Sequence, residues 1–114
     1  MHDLTLQERL RIEAILDAAK ARDWERFQAL SDTTFSNAVS MREQFEESSA
    51  AICGSKSSHL DVDLKHHDDG SRLIFATILL DITATPIILT LHSANTGTDS
   101  SISIWTFFPE LDFS

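Results

Sequence analysis

The sequence predicts an α+β fold, with N-terminal helices packed on a curved C-terminal antiparallel sheet of about four strands. Three observations support this prediction. Apolar residues recur at helical spacing up to Gly54, and from Ser58 onward they alternate with polar residues in the two-residue period of a strand. The length of 114 residues allows a single domain, residues 1–114, with a core just large enough to fold without metals or disulfides.

Two helices are predicted at the start of the chain. Thr5 and Glu8 form a capping box, which begins a helix that runs to about Ala21 with apolar residues on one face. Asp23 can cap a short second helix over residues 24–30, because its carboxylate can accept a hydrogen bond from a free N–H group of the first turn. These signals predict a helix pair.

A polar loop and a third helix follow. Residues 31–40 are rich in Ser, Thr, Asp and Asn, whose side chains bond to the nearby backbone and disfavour a helix interior. We therefore predict a loop with room for a short strand near residues 34–39. Ser40 and Glu43 form a second capping box that opens the third helix, and Gly54 supplies its end.

The first hairpin of the sheet follows from a turn signal. Residues 58–66 alternate between aliphatic and polar side chains, which is typical of a half-buried strand. The sequence Asp68-Asp69-Gly70 fits a three-residue hairpin loop with glycine in the left-handed position. This loop places His67 opposite Ser71 and so sets the register of the first two strands.

Two further strands complete the predicted sheet. A tight turn at Ala84-Thr85-Pro86 leads to a third strand over residues 87–93. A polar loop at residues 94–100 precedes the last strand, residues 101–108, which Pro109 stops because proline cannot donate to the ladder.

The predicted register gives the sheet two different faces. One is purely aliphatic and consists of Leu60, Val62, Leu64, Ile74, Ala76, Ile78, Leu80, Ile82, Ile87, Leu89 and Leu91. The other mixes apolar and polar side chains and consists of Phe75, Thr77, Leu79, Asp81, Ile88, Thr90, His92, Ile102, Ile104 and Thr106. Three helices can cover only one face, and the alternation does not decide which. We expect the uncovered face to pack on a second copy, giving a homodimer.

The composition excludes several classes of protein. A net charge of −9 would repel a phosphate backbone, so we expect no nucleic-acid partner. The apolar runs are too short to span a bilayer and the N-terminus lacks the features of a signal peptide, which predicts a cytoplasmic protein without membrane association. Cys53 is the only cysteine, and its position at a helix C-terminus favours a buried structural thiol over a nucleophile.

Three segments point to a known family. Residues 21–27 read Ala-Arg-Asp-Trp-Glu-Arg-Phe, residues 59–64 read His-Leu-Asp-Val-Asp-Leu, and residues 102–108 read Ile-Ser-Ile-Trp-Thr-Phe-Phe. In this order of helices and strands the chain resembles the SnoaL-like (nuclear transport factor 2-like) superfamily over almost its whole length. The resemblance implies a cone-shaped α+β fold, in a family that includes ketosteroid isomerases, polyketide cyclases and dehydratases.

The resemblance also bears on individual residues. In cyclases of this family the last strand often reads like His-Trp-Asp, with the aspartate inside the pocket, and the matching residues here are Ile104-Trp105-Thr106. A hydroxyl has replaced the carboxylate, while the match implies that Ile104 and Thr106 face the pocket. The chain contains no tyrosine, so a tyrosine oxyanion donor like that of ketosteroid isomerases is absent.

Asp81 and His92 are the candidate catalytic pair. We expect them on neighbouring strands and the same face, one diagonal step apart, where the carboxylate would fix the tautomer of the imidazole and favour its protonated form. The alternative is that Asp81 lies in solvent at a strand end and His92 binds a loop carbonyl. We expect the mixed face to line the pocket, with Met41 in its roof and these substrate-binding residues: Trp24, Phe27, Phe45, Phe75, Thr77, Thr90, Ile104 and Thr106.

Two functions fit these observations. The first is a cofactor-free isomerase, cyclase or dehydratase that uses Asp81 and His92 on a small hydrophobic, oxygenated metabolite. The second is a non-catalytic dimeric module that binds a ligand or a protein partner, which the missing family Asp and Tyr favour. We expect no metal site, because no His or Cys pair has ligand spacing on a helix face, and no cofactor. His59, Asp61 and Asp63 are expected on a solvated edge strand rather than a pocket rim.

Overall fold

The computed structural model describes residues 4–68, 70–81, 85–95 and 100–109. Three helices precede four strands, with bounds α1 Leu6–Lys20, α2 Trp24–Ala29, α3 Ala38–Gly54, β1 Ser58–His66, β2 Arg72–Leu80, β3 Ile87–Asn95 and β4 Ser100–Pro109. The strands form one curved antiparallel sheet in the order β1-β2-β3-β4. The predicted α+β fold class is confirmed.

The first two helices begin at the predicted caps. The Thr5 hydroxyl accepts from the Glu8 N–H at 3.1 Å, and the Glu8 carboxylate accepts from the Thr5 N–H at 2.9 Å, which completes the capping box. In α2 the Asp23 carboxylate accepts from the Arg26 N–H at 3.1 Å. Both helices therefore have a side-chain partner for an N–H group that the helix itself leaves free.

The third helix begins earlier than predicted. Its N-cap is Asn37, whose side-chain oxygen accepts from the Ser40 N–H at 3.0 Å, so that Ser40 lies inside the helix. The predicted box of Ser40 with Glu43 is wrong because the asparagine upstream is an equally good N-cap residue. No strand forms at residues 34–37, and residues 38 and 39 already belong to α3.

The first hairpin has the predicted register. Leu60 pairs with Ile78, and the His67 N–H donates to the Ser71 carbonyl at 2.9 Å. Gly70 has a φ of 90°, the left-handed conformation that the turn requires and that glycine adopts without steric cost. The turn signal therefore determines the pairing of β1 with β2, although Asp69 lies outside the described residues.

The second hairpin keeps the predicted faces but not the predicted register. Ile78 pairs with Ile87 and Leu73 with His92, so β2 leaves the sheet at Leu80, well before the predicted turn at Ala84-Thr85-Pro86. Residues 82–84 lie outside the described residues. Compared with the prediction, β3 is shifted along β2 by an even number of residues. Each side chain therefore stays on its predicted face, and only its neighbours on the adjacent strand change.

A β-bulge changes the faces of the last strand. Thr90 pairs with Thr106, but the next residue of β3 pairs with Ile104, so Trp105 is an extra residue in β4. Ile102 and Ile104 consequently point to the aliphatic face and are 5% and 3% exposed. Their predicted place on the mixed face is wrong, whereas Thr106 keeps its predicted face opposite Thr90.

The helices cover the aliphatic face of the sheet. The central strand residues on this face are almost completely buried and are Ile74, Ala76, Ile78, Ile87, Leu89 and Leu91. Against them pack Ile12, Ile15, Met41, Phe45 and Ile52 of the helices. Burial of this area is the main stabilising contribution to the fold, at roughly 25 cal/mol per Å² of apolar surface.

An aromatic cluster fills the space between the helices and the end of the sheet. It consists of Trp24, Phe27, Phe35, Phe45 and Phe107. The ring centroids of Phe27 and Phe45 lie 4.6 Å apart, and those of Phe27 and Phe107 lie 5.3 Å apart. Phe27 and Phe107 are completely buried, so these rings form solid core.

An ion pair connects α1 to β2 at the opposite part of the core. Glu8 is 3% exposed and its carboxylate accepts from the guanidinium of Arg72. The same carboxylate closes the capping box with Thr5. One buried group thus fixes the start of the first helix and its position on the sheet.

Candidate functional site

The sheet face opposite the helices is the candidate functional site. We call it the outer face, and its residues on β2, β3 and β4 are Leu73, Phe75, Thr77, Leu79, Ile88, Thr90, His92, Ser103, Thr106 and Phe108. Leu79 and Phe108 are 40% and 36% exposed, while Phe75 and Ile88 are half-buried. The exposed apolar surface therefore lies at the end of the outer face where β2 and β4 end, while Thr90, nearer the middle, is buried.

Charges on the outer face are confined to one side. The edge strand β1 contributes His59, Asp61, Asp63 and Lys65, all exposed. His59 Nε2 lies 3.4 Å from a carboxylate oxygen of Asp61, and both side chains keep most of their surface in solvent. These residues mark a solvated edge strand, as the sequence predicts, and make the outer face charged along β1 and uncharged on the other three strands.

The bulge places an aromatic stack at the other side of the outer face. The rings of His92 and Trp105 lie 4.8 Å apart with planes at 5°. Trp105 nevertheless keeps 51% of its surface exposed. Beside it, the hydroxyl oxygen of Thr106 is buried and has no hydrogen-bond partner among the described residues.

The predicted pair of Asp81 and His92 does not form. His92 pairs with Leu73 on β2 and not with a residue near Asp81. The eight positions from residue 73 to residue 81 correspond to about 25 Å of extended chain. The prediction of a diagonal contact is wrong because the aliphatic repeat of β2 and β3 permits several registers, and the observed one moves the two side chains to opposite ends of the sheet.

Asp81 instead caps the junction between α3 and β1. Its carboxylate accepts from the Ser55 hydroxyl and from the Lys56 N–H at 3.1 Å, and its own N–H donates to Ser55 and to the Ser57 carbonyl. The hydrogen bond from Ser55 lowers the pKa of Asp81 below its ordinary value of 3.8. An exposed, ionised carboxylate with this role matches the alternative of a solvated strand end.

The predicted substrate-binding residues lie on two sides of the sheet. Trp24, Phe27 and Phe45 belong to the aromatic cluster on the helix side, and the bulge places Ile104 there as well. The remaining residues, Phe75, Thr77, Thr90 and Thr106, lie on the outer face. Between the two groups the structure brings only Ile104 and Thr106 together, in a cleft that also contains Met41; the other residues stay apart because the helices cover the aliphatic face and not the mixed one.

Comparison of the chain with protein-family models, curated proteins and solved structures finds no match. The resemblance to the SnoaL-like superfamily therefore stays a prediction. A function must therefore be inferred from the arrangement of the described side chains.

A cleft lies beside β4, and of its lining residues only Met41, Ile104 and Thr106 are predicted from the sequence to line a pocket. Its volume is about 540 Å³, and it is lined by Thr33, Thr34, Phe35, Ser36, Asn37, Ser40, Met41, Gln44, Ile104, Trp105 and Thr106. It lies between the loop before α3, the first turns of α3 and the bulged part of β4. The Ser-, Thr- and Asn-rich composition of residues 31–40 was the available signal, but composition does not reveal which strand the loop approaches.

Polar side chains fix the loop and α3 to the edge of β4. Asp32 and Ser31 accept from the N–H groups of Ile102 and Ile104 at 2.8 and 3.0 Å. Gln44 accepts from the N–H of Phe107 at 2.9 Å, and Ser48 donates to the carbonyl of the same residue. These bonds satisfy backbone groups that an edge strand would otherwise present to solvent.

Other candidate groups are spread over the surface. Cys53 is exposed, with its thiol 3.0 Å from the Lys20 carbonyl, so the prediction of a buried thiol is wrong: the residue lies on the solvent side of α3. Within the described residues, no three His, Cys, Asp or Glu side chains are close enough together to hold a metal ion. None of the three helices, as far as they are described, is long and apolar enough to cross a membrane.

Proposed function

We propose that this chain is a non-catalytic module that forms a homodimer by packing the outer faces of two sheets together. The observation that carries the proposal is the exposed apolar surface at one end of the outer face, where Leu79 and Phe108 keep more than a third of their surface in solvent. Scattered exposed apolar residues are normal, but contiguous ones on a rigid surface are typical of an interface.

The size of the outer face bears on whether a second copy of the chain can bind there. Four strands about 4.8 Å apart and nine residues long present roughly 600 Å² of flat sheet, before the relief of the side chains is added. A stable interface of standard size buries about 800 Å² on each partner. The flat area of the outer face is therefore about three quarters of a standard contact, and the relief of its side chains adds to that area in a twofold contact.

The distribution of charge supports the same partner. The residues of β2, β3 and β4 on the outer face, including Phe75 and Ile88, carry no carboxylate, ammonium or guanidinium group. The charged groups of β1, such as Asp61 and Asp63, lie at the margin, where water still solvates them. Protein interfaces have a similar composition, with few charged residues in the core and polar residues at the rim.

The geometry gives less support to an acid–base enzyme. Asp81 and His92 lie at opposite ends of the sheet, and the aromatic cluster occupies the space that a ligand between helices and sheet would need. A carboxylate with a lowered pKa is also a weak base and a poor proton donor near neutral pH. The interaction module is the better supported of the two predicted functions.

The test is the oligomeric state of two matched leucine variants. Leu79→Glu places a charge on the exposed apolar part of the outer face, whereas Leu10→Glu places one on the exposed side of α1, where Leu10 is 53% exposed. Sedimentation over a range of concentrations is expected to show dimers for the wild type and Leu10→Glu and monomers for Leu79→Glu. Circular dichroism checks that all three are folded.

Either of two results would contradict the proposal. One is a wild-type chain that stays monomeric at every concentration at which it is soluble. The other is a dimer that survives Leu79→Glu unchanged, which would place the contact on another surface. A buried interfacial carboxylate without a partner costs several kcal/mol, so a true face-to-face contact cannot tolerate it in both copies.

A further inference from the structure

The cleft beside β4 has an uncharged lining. Its eleven lining residues include no Asp, Glu, Lys, Arg or His, although charged residues make up 24% of the chain. A charged ligand placed there would lose water without gaining an opposite charge, which is costly. The cleft therefore selects for a neutral ligand.

Two amide groups at the cleft are held in one orientation. The side-chain oxygen of Asn37 is occupied by the Ser40 N–H at 3.0 Å, and that of Gln44 by the Phe107 N–H at 2.9 Å. Each amide consequently has its NH₂ group left for another partner. A ligand that meets both groups must offer oxygen acceptors.

Hydroxyl groups add to this donor set. Thr34, Ser36 and Ser40 line the cleft, and their hydroxyls make no hydrogen bond within the described part of the chain. A hydroxyl can donate one hydrogen bond and accept others, so these groups complement a ligand that is itself rich in hydroxyls. The polar side of the cleft matches oxygen-rich chemistry rather than a hydrocarbon.

The remaining wall is aromatic. Trp105 is 51% exposed and Phe35 half-buried, and the β-bulge together with the stack on His92 fixes the indole ring at the cleft. An exposed indole offers a flat apolar surface and one N–H donor. Flat apolar surface beside several hydroxyl and amide groups suits a ring that has C–H groups on its face and oxygens around its edge.

We propose that this cleft binds a neutral, oxygen-rich ring, namely a sugar or a cyclic polyol, with the ring against Trp105 and its hydroxyls bonded to Asn37, Gln44 and the loop hydroxyls. The volume of about 540 Å³ lies in the range of small-molecule sites. All of its lining residues belong to one chain, and Thr106 is shared with the outer face, so the cleft borders the proposed dimer contact.

The experiment follows the two indole N–H signals of the ¹⁵N-labelled chain by nuclear magnetic resonance. The probes are glucose and maltose, with gluconate as the charged control. Trp105 is expected to shift saturably with the neutral sugars, with a Kd of about 1 mM, and to respond at least about tenfold more weakly to gluconate. Trp24 does not line the cleft but lies against Phe35, which does, so its signal is the internal comparison and should shift less than that of Trp105.

A matched pair of double variants tests the assignment of the site. Ser36→Ala with Ser40→Ala removes two cleft hydroxyls, whereas Ser57→Ala with Ser58→Ala removes two exposed hydroxyls near β1. The first pair is expected to weaken binding at least about tenfold and the second to leave it unchanged. The proposal is overturned if neither sugar shifts Trp105, if gluconate shifts it equally, or if both double variants bind like the wild type.

Discussion

His92 and Trp105 stack face to face across neighbouring strands, with ring centroids 4.8 Å apart. Trp105 is the extra residue of the β-bulge, so its side chain lies outside the regular alternation of β4. The bulge lets Ile104 point into the core and Thr106 point to the outer face although only one residue separates them. The aromatic stack stabilises the position at which the strand makes this change.

Deleting Trp105 is expected to leave the fold intact. The residues before and after it would then pair regularly with β3, and every core side chain would stay on its face. Deleting Ile104 gives a chain of the same length but puts a tryptophan at a core position that is 3% exposed. Such overpacking costs about 1–3 kcal/mol or more.

Urea unfolding of the two deletion variants checks this prediction. Deletion of Trp105 should give the more stable protein, with the same dependence of unfolding free energy on urea as the wild type. If the two deletions are equally destabilising, Trp105 is not the extra residue and the register of β4 must differ.

The ion pair of Glu8 with Arg72 is expected to contribute measurably to stability. Glu8→Gln keeps a side-chain acceptor for the Thr5 N–H, so the capping box can persist while the charge is removed. The change leaves a guanidinium that is only 16% exposed without its carboxylate and should cost up to about 3 kcal/mol.

The matched control for this variant is Glu13→Gln, on the exposed side of α1. It should change the free energy of unfolding by less than about 0.5 kcal/mol. Equal effects of the two substitutions in thermal or urea unfolding would mean that the pair with Arg72 does not stabilise the native state.

Phe27→Ala tests whether the space between helices and sheet is solid core. Phe27 is completely buried and touches the rings of Trp24, Phe35, Phe45 and Phe107. Truncation should cost about 3–5 kcal/mol, as for other buried phenylalanines. A loss below about 1 kcal/mol in urea unfolding would indicate that the ring lines an open pocket instead.

Asp81→Asn is expected to change stability in a pH-dependent way. The folded-state pKa of Asp81 lies below 3.8 because Ser55 donates to the carboxylate, so its contribution is present above the unfolded-state pKa. The contribution is lost as the pH falls through the folded-state pKa. The difference in thermal midpoint between wild type and Asp81→Asn should therefore be constant near neutral pH and shrink below about pH 4.

Asp63→Asn serves as the control, since Asp63 is exposed on β1 and makes no hydrogen bond within the described residues. This variant should match the wild type more closely at neutral pH than Asp81→Asn does. A difference for Asp81→Asn that persists unchanged into acid would show that the carboxylate charge is not what the junction uses.

The sequence determines the local features of the fold but not the long-range registers. Thr5, Glu8 and Asp23 act on backbone groups within three residues, and Gly70 sets a turn by its own φ angle, so each could be predicted from its immediate neighbours. The first hairpin inherits its register from that turn. These elements agree with the prediction because no distant contact competes with them.

The second hairpin and the bulge escaped prediction for a physical reason. The alternation of aliphatic residues along β2 and β3 is nearly uniform, so a slide by an even number of residues leaves the same type of side chain on each face. Ile102 and Ile104 are apolar and fit either face of the sheet, so their sequence does not indicate the β-bulge. The predicted contact between Asp81 and His92 required the predicted register of β2 and β3, which does not form. The cleft could not be predicted because it forms where the polar loop contacts β4, a contact between distant parts of the chain.

Both margins of the sheet resist the addition of further strands. Along β4 the backbone groups of Ile102, Ile104 and Phe107 are already bonded to side chains of the same chain, and along β1 charged groups oppose a neighbour. Lateral growth into an extended ribbon or fibril is therefore blocked on either side. The proposed contact between outer faces would be self-limiting, because a second copy covers the surface to which a third would bind, so it predicts dimers and no larger assembly.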